Sequence, residues 1–243
     1  MSQTSMIIDL TPVLFYDDRS PPVRSCRMLI QRLSIDAEYK FIDLFTGAQL
    51  RPDFIKVNPI HTVPVLQHGD LTLTDSHAIL IYLCEKFGRD TDLYPTDEIL
   101  RIKVINRLFF ESSILFRRDS EMLSDVFRGE LKHLERNKEK VREAFSMMEA
   151  FLGENKFMAC DHITIADLSM ITTLSTVAMV VPVEKSKWPR LAEWYEEMKS
   201  FPGYDDVNFQ LEISQLITAH GKNNPFSSQC PPERMFDPET YLS

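Results

Sequence analysis

The sequence predicts an α/β domain followed by an all-helical domain, and two observations support this. Residues 12–87 alternate short apolar runs, typical of buried strands, with segments of helical periodicity, in the order βαβαββα. From residue 99 onward the apolar residues recur at helical spacing only. The 243 residues include only seven glycines, which favours a helix-rich chain over one dominated by tight turns. The order βαβαββα is that of a thioredoxin-like domain.

The predicted elements follow this order along the chain. In the first domain they are a strand at 12–16, a helix that begins after Ser20, a strand at 39–44, a short helix at 52–57, a strand-turn-strand hairpin at 63–74 and a helix at 76–87. In the second domain, helices are predicted near 99–127, 130–152, 164–180, 188–200 and 208–219. We expect the domains at 11–89 and 99–222, a polar linker at 90–98 and a loosely ordered tail at 223–243.

Charge and cysteine usage disfavour several classes of function. The net charge of −9 argues against nucleic acid and against an anionic membrane surface, since both attract Lys and Arg. The apolar stretch at 177–183 is far shorter than the roughly 20 residues of a membrane span, so no membrane insertion is expected. The start of the chain lacks a signal-peptide pattern, and the four cysteines lack metal-ligand spacing. We expect a cytoplasmic protein with reduced thiols and no metal.

Ser20 is the candidate catalytic residue. In a thioredoxin fold, the turn between the first strand and the first helix carries a redox cysteine pair; here Ser20 and Val23 hold those positions. Serine cannot exchange disulfides, which excludes thioredoxin chemistry. Its hydroxyl can instead donate a hydrogen bond to a thiolate, which the helix dipole also stabilises. Alternatively, Ser20 only caps the helix.

Two further motifs belong with this turn. In the segment 58–66 (NPIHTVPVL), Pro64 stands where a strand begins, which resembles the cis-proline signature of thioredoxin-like proteins. A cis bond lets the backbone of Val63 pair with a bound peptide; the alternative is an ordinary trans proline at a strand edge. Asp75 and Ser76 stand where a strand meets a helix, and suit the ammonium and carboxylate of a γ-glutamyl group. Taken alone, they could simply cap the helix.

These motifs resemble those of the insect delta/epsilon glutathione transferases over residues 12–220. The matching runs are YDxRSPPVRSC, NPxHxVPxL and LTDSHAIL, together with the capping box of Thr164 and Asp167. The resemblance implies glutathione as co-substrate, a homodimer, and an apolar second ligand bound by the helical domain. It also assigns glutathione contacts to a set of residues in the first domain: Gln49, His61, Val63, Pro64, Asp75, Ser76 and His77.

Two of these positions depart from the family pattern. Gln49 stands where many relatives carry a histidine that touches the glycine end of glutathione. His77 stands where they carry an arginine. Both side chains can still form hydrogen bonds with a carboxylate, so the departures bear on glutathione affinity more than on binding itself.

The apolar ligand implied by the resemblance is a sterol or steroid. The runs SPPVRSC, TDSHAIL, LFRRDS and DLSMITTLSTV are most similar to epsilon-type transferases of ecdysteroid biosynthesis. Ser112, Leu115, Phe116, Asp119 and Leu123 share one helix face, although core packing is the alternative for the Phe and Leu positions. The residues expected to line this site are Pro21, Leu44, Phe45, Ser112, Phe116, Asp119, Ser120 and Leu123.

Asp119 is the sharpest prediction about the second ligand. A carboxylate on an otherwise apolar or hydroxylated face is costly unless a partner satisfies it. The partner is either a steroid hydroxyl or a basic neighbour such as Arg117 or Arg118.

The sequence therefore predicts an enzyme that activates the glutathione thiol through Ser20 for reaction with a hydrophobic electrophile. The rival function is a non-catalytic, glutathione-dependent carrier of sterols. A third, weaker hypothesis is an interaction module, which the intact glutathione-site residues disfavour.

Overall fold

The computed structural model describes residues 11–88, 92–128 and 131–208. Beyond Asn208, the predicted helix at 208–219 lies outside the described residues, and so does the predicted tail at 223–243.

The first domain is a mixed sheet with helices, and it confirms the predicted order βαβαββα. Its elements are β1 (Val13–Tyr16), α1 (Pro21–Arg32), β2 (Glu38–Phe41), α2 (Pro52–Ile55), β3 (Val65–His68), β4 (Leu71–Leu73) and α3 (Ser76–Phe87). The sheet order is β2-β1-β3-β4, with β1 parallel to β2 and antiparallel to β3. Gly69, with a positive φ of 60°, closes the predicted hairpin between β3 and β4.

The predicted strand at 39–44 is wrong at its end. β2 stops at Phe41, and a 3₁₀ turn follows at Leu44–Thr46. The side chain of Asp43 starts this turn, because its Oδ1 accepts the backbone N–H of Phe45 at 3.1 Å. A second 3₁₀ turn, Ala48–Leu50, leads to α2.

The second domain is helical in every described element. Its helices are α4 (Glu98–Phe110), α5 (Phe116–Arg128), α6 (Leu134–Leu152), α7 (Ile165–Val177), α8 (Pro189–Lys199) and α9 (Tyr204–Val207), with a 3₁₀ turn at Leu131–His133. The helix predicted near 99–127 is confirmed, since residues 98–128 are helical without a break, but a π-helical turn, Glu111–Leu115, interrupts it between α4 and α5. The hydroxyls of Ser112 and Ser113 both donate to the carbonyl of Phe109, at 3.2 and 2.6 Å, and so compete with the regular backbone ladder.

α7 is the centre of the molecule, since every one of its residues is buried. The predicted capping box at its start is confirmed: Thr164 Oγ1 accepts the N–H of Ala166, and Asp167 Oδ2 accepts the N–H of Thr164. Asp167 Oδ1 also accepts the N–H of Met158 at 2.9 Å and Trp194 Nε1–H at 3.0 Å. One buried carboxylate thus joins α7 to α8 and to the segment before α7.

α1 packs against α7 through a buried arginine. The guanidinium of Arg24 donates to the carbonyl of Thr172 at 2.8 Å, to Asn208 Oδ1 at 2.7 Å and to Ser175 Oγ at 3.3 Å, and it also bonds Thr176 Oγ1. Burial lowers the pKa of Arg24 to about 10. These bonds fix the N-terminal turn of α1, where Ser20 lies, relative to the helical domain.

Replacing Asp167 tests the role assigned to it. Asp167→Ala leaves the N–H groups of Met158, Thr164 and Trp194 buried without acceptors, so we expect the free energy of unfolding to fall by about 2–4 kcal/mol. The matched control is Asp97→Ala, which removes an exposed cap that accepts the N–H of Leu100. It is expected to cost about 1 kcal/mol. Equal losses for the two variants in chemical denaturation would contradict this account.

Candidate functional site

Ser20 lies at the N-cap position of α1, with an extended backbone and a half-buried side chain. Its hydroxyl makes no capping bond to the helix, and the alternative that Ser20 serves only as a side-chain cap is therefore not supported. The Oγ atom is 3.5 Å from the carbonyl oxygen of Val63. A hydroxyl placed in this way, at the positive end of a helix dipole, can donate to an anion.

The bond between Val63 and Pro64 is cis, as the sequence predicts. The loop before it is held by the fully buried side chain of Asn58, whose Nδ2 donates to the carbonyl of Thr62 at 2.9 Å. Asn58 Oδ1 accepts the N–H of Ile60 at 2.9 Å. His61, which has a positive φ of 49°, belongs to the same loop. The peptide at Val63 is thus presented directly beside Ser20.

Asp75 and Ser76 form the start of α3. Asp75 Oδ1 accepts the N–H groups of His77 at 2.9 Å and Ala78 at 3.0 Å, so the capping function considered for this residue is present. Asp75 is exposed and Ser76 is buried, with 8% of its surface accessible. The helix N-terminus and an exposed carboxylate therefore lie side by side, an arrangement suited to the carboxylate and ammonium of one amino acid.

The ring of His77 is held inside the molecule, at the junction of the two domains. Its Nε2 lies 2.8 Å from Ser169 Oγ and 3.0 Å from Glu111 Oε2. Thr173 donates to the other oxygen of Glu111 at 2.6 Å. This buried cluster ties α3 to the π-helical turn and to α7. A direct bond from His77 to glutathione stays a prediction.

Gln49 lies on the 3₁₀ turn Ala48–Leu50, and the structure leaves its amide partly unpaired. Its Oε1 is buried and has no hydrogen-bond partner among the described residues. A buried polar atom without a partner carries a free-energy cost that a bound ligand can remove. Gln49 is thus a suitable contact for a polar ligand.

The residues predicted to line the apolar site differ in burial. Pro21 is buried at the first turn of α1, while Leu44 and Phe45 are partly buried on the 3₁₀ turn after β2. On the helical domain, Ser112, Phe116 and Leu123 are partly buried, Asp119 is buried and Ser120 is exposed. Leu115 is fully buried and belongs to the core, as the packing alternative predicts.

Asp119 is 2% exposed, and its Oδ1 atom has no hydrogen-bond partner among the described residues. Arg117 pairs with Glu121 and Arg118 with Glu143, so neither adjacent arginine satisfies it. Burial raises the pKa of Asp119 to about 8, although the charge of Arg24 opposes this shift. At neutral pH the buried carboxyl therefore favours its protonated form, which can both donate and accept hydrogen bonds.

Sequence reasoning missed a cluster of charged side chains next to Ser20. Arg19 bonds Asp17, which is 1% exposed, and also Asp43 of the following turn. The sequence does show an acidic residue, Asp17, two positions before Arg19. It does not show that Asp43, which is distant in sequence, lies close to Arg19 in the fold. The buried pairing of Glu111 with His77 was missed for the same reason.

The described part of the chain contains no helix that is long and apolar enough to cross a membrane. Nor does it contain a group of three or more His, Cys, Asp or Glu side chains arranged to hold a metal ion.

Comparison with known proteins identifies the family. Residues 12–85 match the glutathione S-transferase N-terminal domain, and residues 111–202 match the C-terminal domain of the same family. Glutathione S-transferase 1 of Manduca sexta is 39% identical over 198 residues, which cover 80% of this chain and 91% of that protein.

Two solved structures are similar throughout the fold. An epsilon-class glutathione S-transferase from Musca domestica is 34% identical, with a TM-score of 0.79 over 87% of this chain and 97% of that one. A glutathione transferase homologue from Drosophila mojavensis with bound glutathione is also 34% identical, with a TM-score of 0.80 over the same shares. The chain therefore belongs to the glutathione S-transferase family, among the insect delta/epsilon-class enzymes.

Proposed function

We propose that this transferase activates the thiol of glutathione through the Ser20 hydroxyl, for reaction with a hydrophobic electrophile. The observation that carries the proposal is the position of Ser20 at the N-terminus of α1, with a hydroxyl that the helix does not use. A thiolate bound there would gain the helix dipole and one donated hydrogen bond, and both lower its pKa. The cytoplasm, where glutathione is kept reduced, is the matching location.

Glutathione would bind along the first domain, with its thiol at Ser20. The backbone of Val63, presented by Pro64, suits the cysteinyl peptide, and His61 and Gln49 would contact the glycine end. Asp75 and the N-terminus of α3 at Ser76 suit the γ-glutamyl group. For His77, the contacts with Glu111 and Ser169 support a contribution through the position of α3.

The second ligand we propose is a sterol or steroid. The sequence runs quoted above are similar to those of Noppera-bo, an epsilon-type transferase needed for ecdysone synthesis. Asp119 supports this proposal, since a buried carboxyl with an unpaired oxygen suits a ligand that carries one hydroxyl on a large apolar body. Phe116, Leu123, Leu44 and Phe45 would supply the apolar walls.

We also propose that the protein is a homodimer. On α4, Ile99 and Phe109 are each 66% exposed and Ile102 is 56% exposed. These residues recur at helical spacing and form one apolar stripe. An exposed stripe of this kind suits burial against a second copy.

Removal of the Ser20 hydroxyl tests the catalytic part of the proposal. Ser20→Ala should lower kcat/KM with a chlorodinitrobenzene electrophile by roughly 10- to 1000-fold, since one donor to the thiolate is lost. The matched control is Ser25→Ala, which deletes a hydroxyl on the same helix that donates to the carbonyl of Pro22 at 2.9 Å. The control should keep the wild-type rate. Full activity in Ser20→Ala would remove Ser20 from the mechanism, and steroid binding without any wild-type turnover would favour the carrier function.

Asp119 is tested with a steroid that carries a ring hydroxyl and its deoxy counterpart. In the wild type the hydroxylated steroid should bind more tightly, and in Asp119→Ala this preference should fall by roughly 10-fold or more, because a buried hydrogen bond of about 1–3 kcal/mol is lost. Turnover of the nitroaromatic should change little. The control is Asp125→Ala, which deletes another buried carboxylate of α5, one that pairs with Asn137. A preference that survives in Asp119→Ala, or falls equally in Asp125→Ala, would contradict the assignment.

A further inference from the structure

A compact ionic cluster lies immediately before Ser20. Arg19 Nε is 2.7 Å from Oδ1 and 2.9 Å from Oδ2 of Asp17, and Arg19 Nη2 bonds both Asp17 and Asp43. Asp17 is 1% exposed, and the side chain of Arg19 is 22% exposed. A planar guanidinium with several donors is what allows one side chain to join two carboxylates.

The cluster connects two segments that are distant in sequence. On one side, Asp17 binds its own turn: Oδ1 accepts the N–H of Arg19 at 3.0 Å, and its carbonyl accepts the N–H of Ser20 at 2.9 Å. On the other side, Asp17 Oδ2 accepts the N–H of Leu44 at 3.1 Å. The carboxylate of Asp17 therefore holds the turn that carries Ser20 and the 3₁₀ turn Leu44–Thr46 in one fixed relation.

Arg19 also covers one face of an aromatic ring on the 3₁₀ turn Leu44–Thr46. The guanidinium carbon lies 3.9 Å from the centroid of the Phe45 ring. Asp43, bonded to the same guanidinium, accepts the N–H of Phe45. The hydrogen bond from Arg19 keeps the pKa of Asp43 below its usual value, so this carboxylate stays charged at neutral pH. Phe45 is thus held both through its backbone and across its ring.

We propose that Arg19 is a positioning residue that fixes the Phe45 ring on the turn Leu44–Thr46, and that it thereby sets the size of hydrophobic substrate that the enzyme accepts. This inference rests on the proposed function, because Phe45 is proposed to form one wall of the apolar site. Arg19 itself takes no part in proton or group transfer.

The test is Arg19→Lys, which keeps the charge but loses the fork and most of the ring contact. The ratio of kcat/KM for a bulky electrophile to that for a small one should shift by about 2- to 30-fold, the range expected for a lost cation–ring contact. The change should appear in KM for the electrophile, while KM for glutathione keeps its wild-type value.

The matched control is Arg27→Lys. The side chain of Arg27 has a similar exposure of 25% and also pairs with an aspartate, in this case Asp18. Its guanidinium likewise lies over aromatic rings, those of Tyr16 and Tyr39. The control should leave the substrate ratio unchanged. A ratio that is unchanged in Arg19→Lys, or that moves equally in both variants, would overturn the proposal.

A double-mutant cycle with Phe45→Leu separates positioning from a general loss of stability. If Arg19 acts through the Phe45 ring, then Arg19→Lys should have no further effect on the ratio in the Phe45→Leu background. Additive effects would overturn the proposal.

Binding of the neutral dye N-phenylnaphthylamine gives a readout without turnover: Arg19→Lys should shift the dye affinity and Arg27→Lys should not. If the wild type is inactive but Arg19→Lys still changes the dye affinity, the catalytic function is refuted and the role of Arg19 is supported. If Arg19→Lys and Arg27→Lys bind the dye with equal affinity, the role of Arg19 is refuted.

Discussion

The position of Ser20 depends on the buried guanidinium of Arg24, one helical turn further along α1. Burying an arginine is unfavourable unless most of its donors are satisfied. Here oxygens of α7 and of Asn208 accept from both terminal nitrogens, while Nε has no partner among the described residues. The lowered pKa of Arg24 reflects that cost of burial. Because these acceptors lie on α7 and on Asn208, the bonds of Arg24 hold α1 against α7 and favour one orientation of the two domains. The N-terminus of α1 is fixed with it.

The same scaffold organises the rest of the candidate site. α3 is joined to α7 by the cluster of His77, Glu111 and Ser169, so both helices that begin at proposed glutathione contacts are anchored to one buried helix. Polar groups buried in this way demand specific partners, which makes the interface less tolerant of alternative packing than an apolar one. The charges of Arg24 and Glu111 act on the buried carboxyl of Asp119 in opposite directions, since Arg24 lowers its pKa and Glu111 raises it.

Local patterns in the sequence predicted the parts of the structure that local interactions determine. The strand and helix order, the cis bond before Pro64 and the capping box of Thr164 with Asp167 each depend on a short run of residues. The parts that were missed depend on distant contacts. Arg24 meets its acceptor Thr172 across 148 positions, His77 meets Ser169 across 92, and Arg19 meets Asp43 across 24. The π-helical turn was missed because a periodicity pattern does not reveal where serine hydroxyls compete with the backbone ladder.

The central claim is that the start of α1 stabilises the glutathione thiolate. The most direct measurement is a spectroscopic titration of the thiolate absorbance of glutathione bound to the wild-type protein. If the helix dipole and the Ser20 hydroxyl act together, the thiol pKa in the complex should lie about 1–2 units below that of free glutathione, which corresponds to roughly 1.4 kcal/mol for each unit. A thiol that titrates in the complex as it does in free solution would contradict the account.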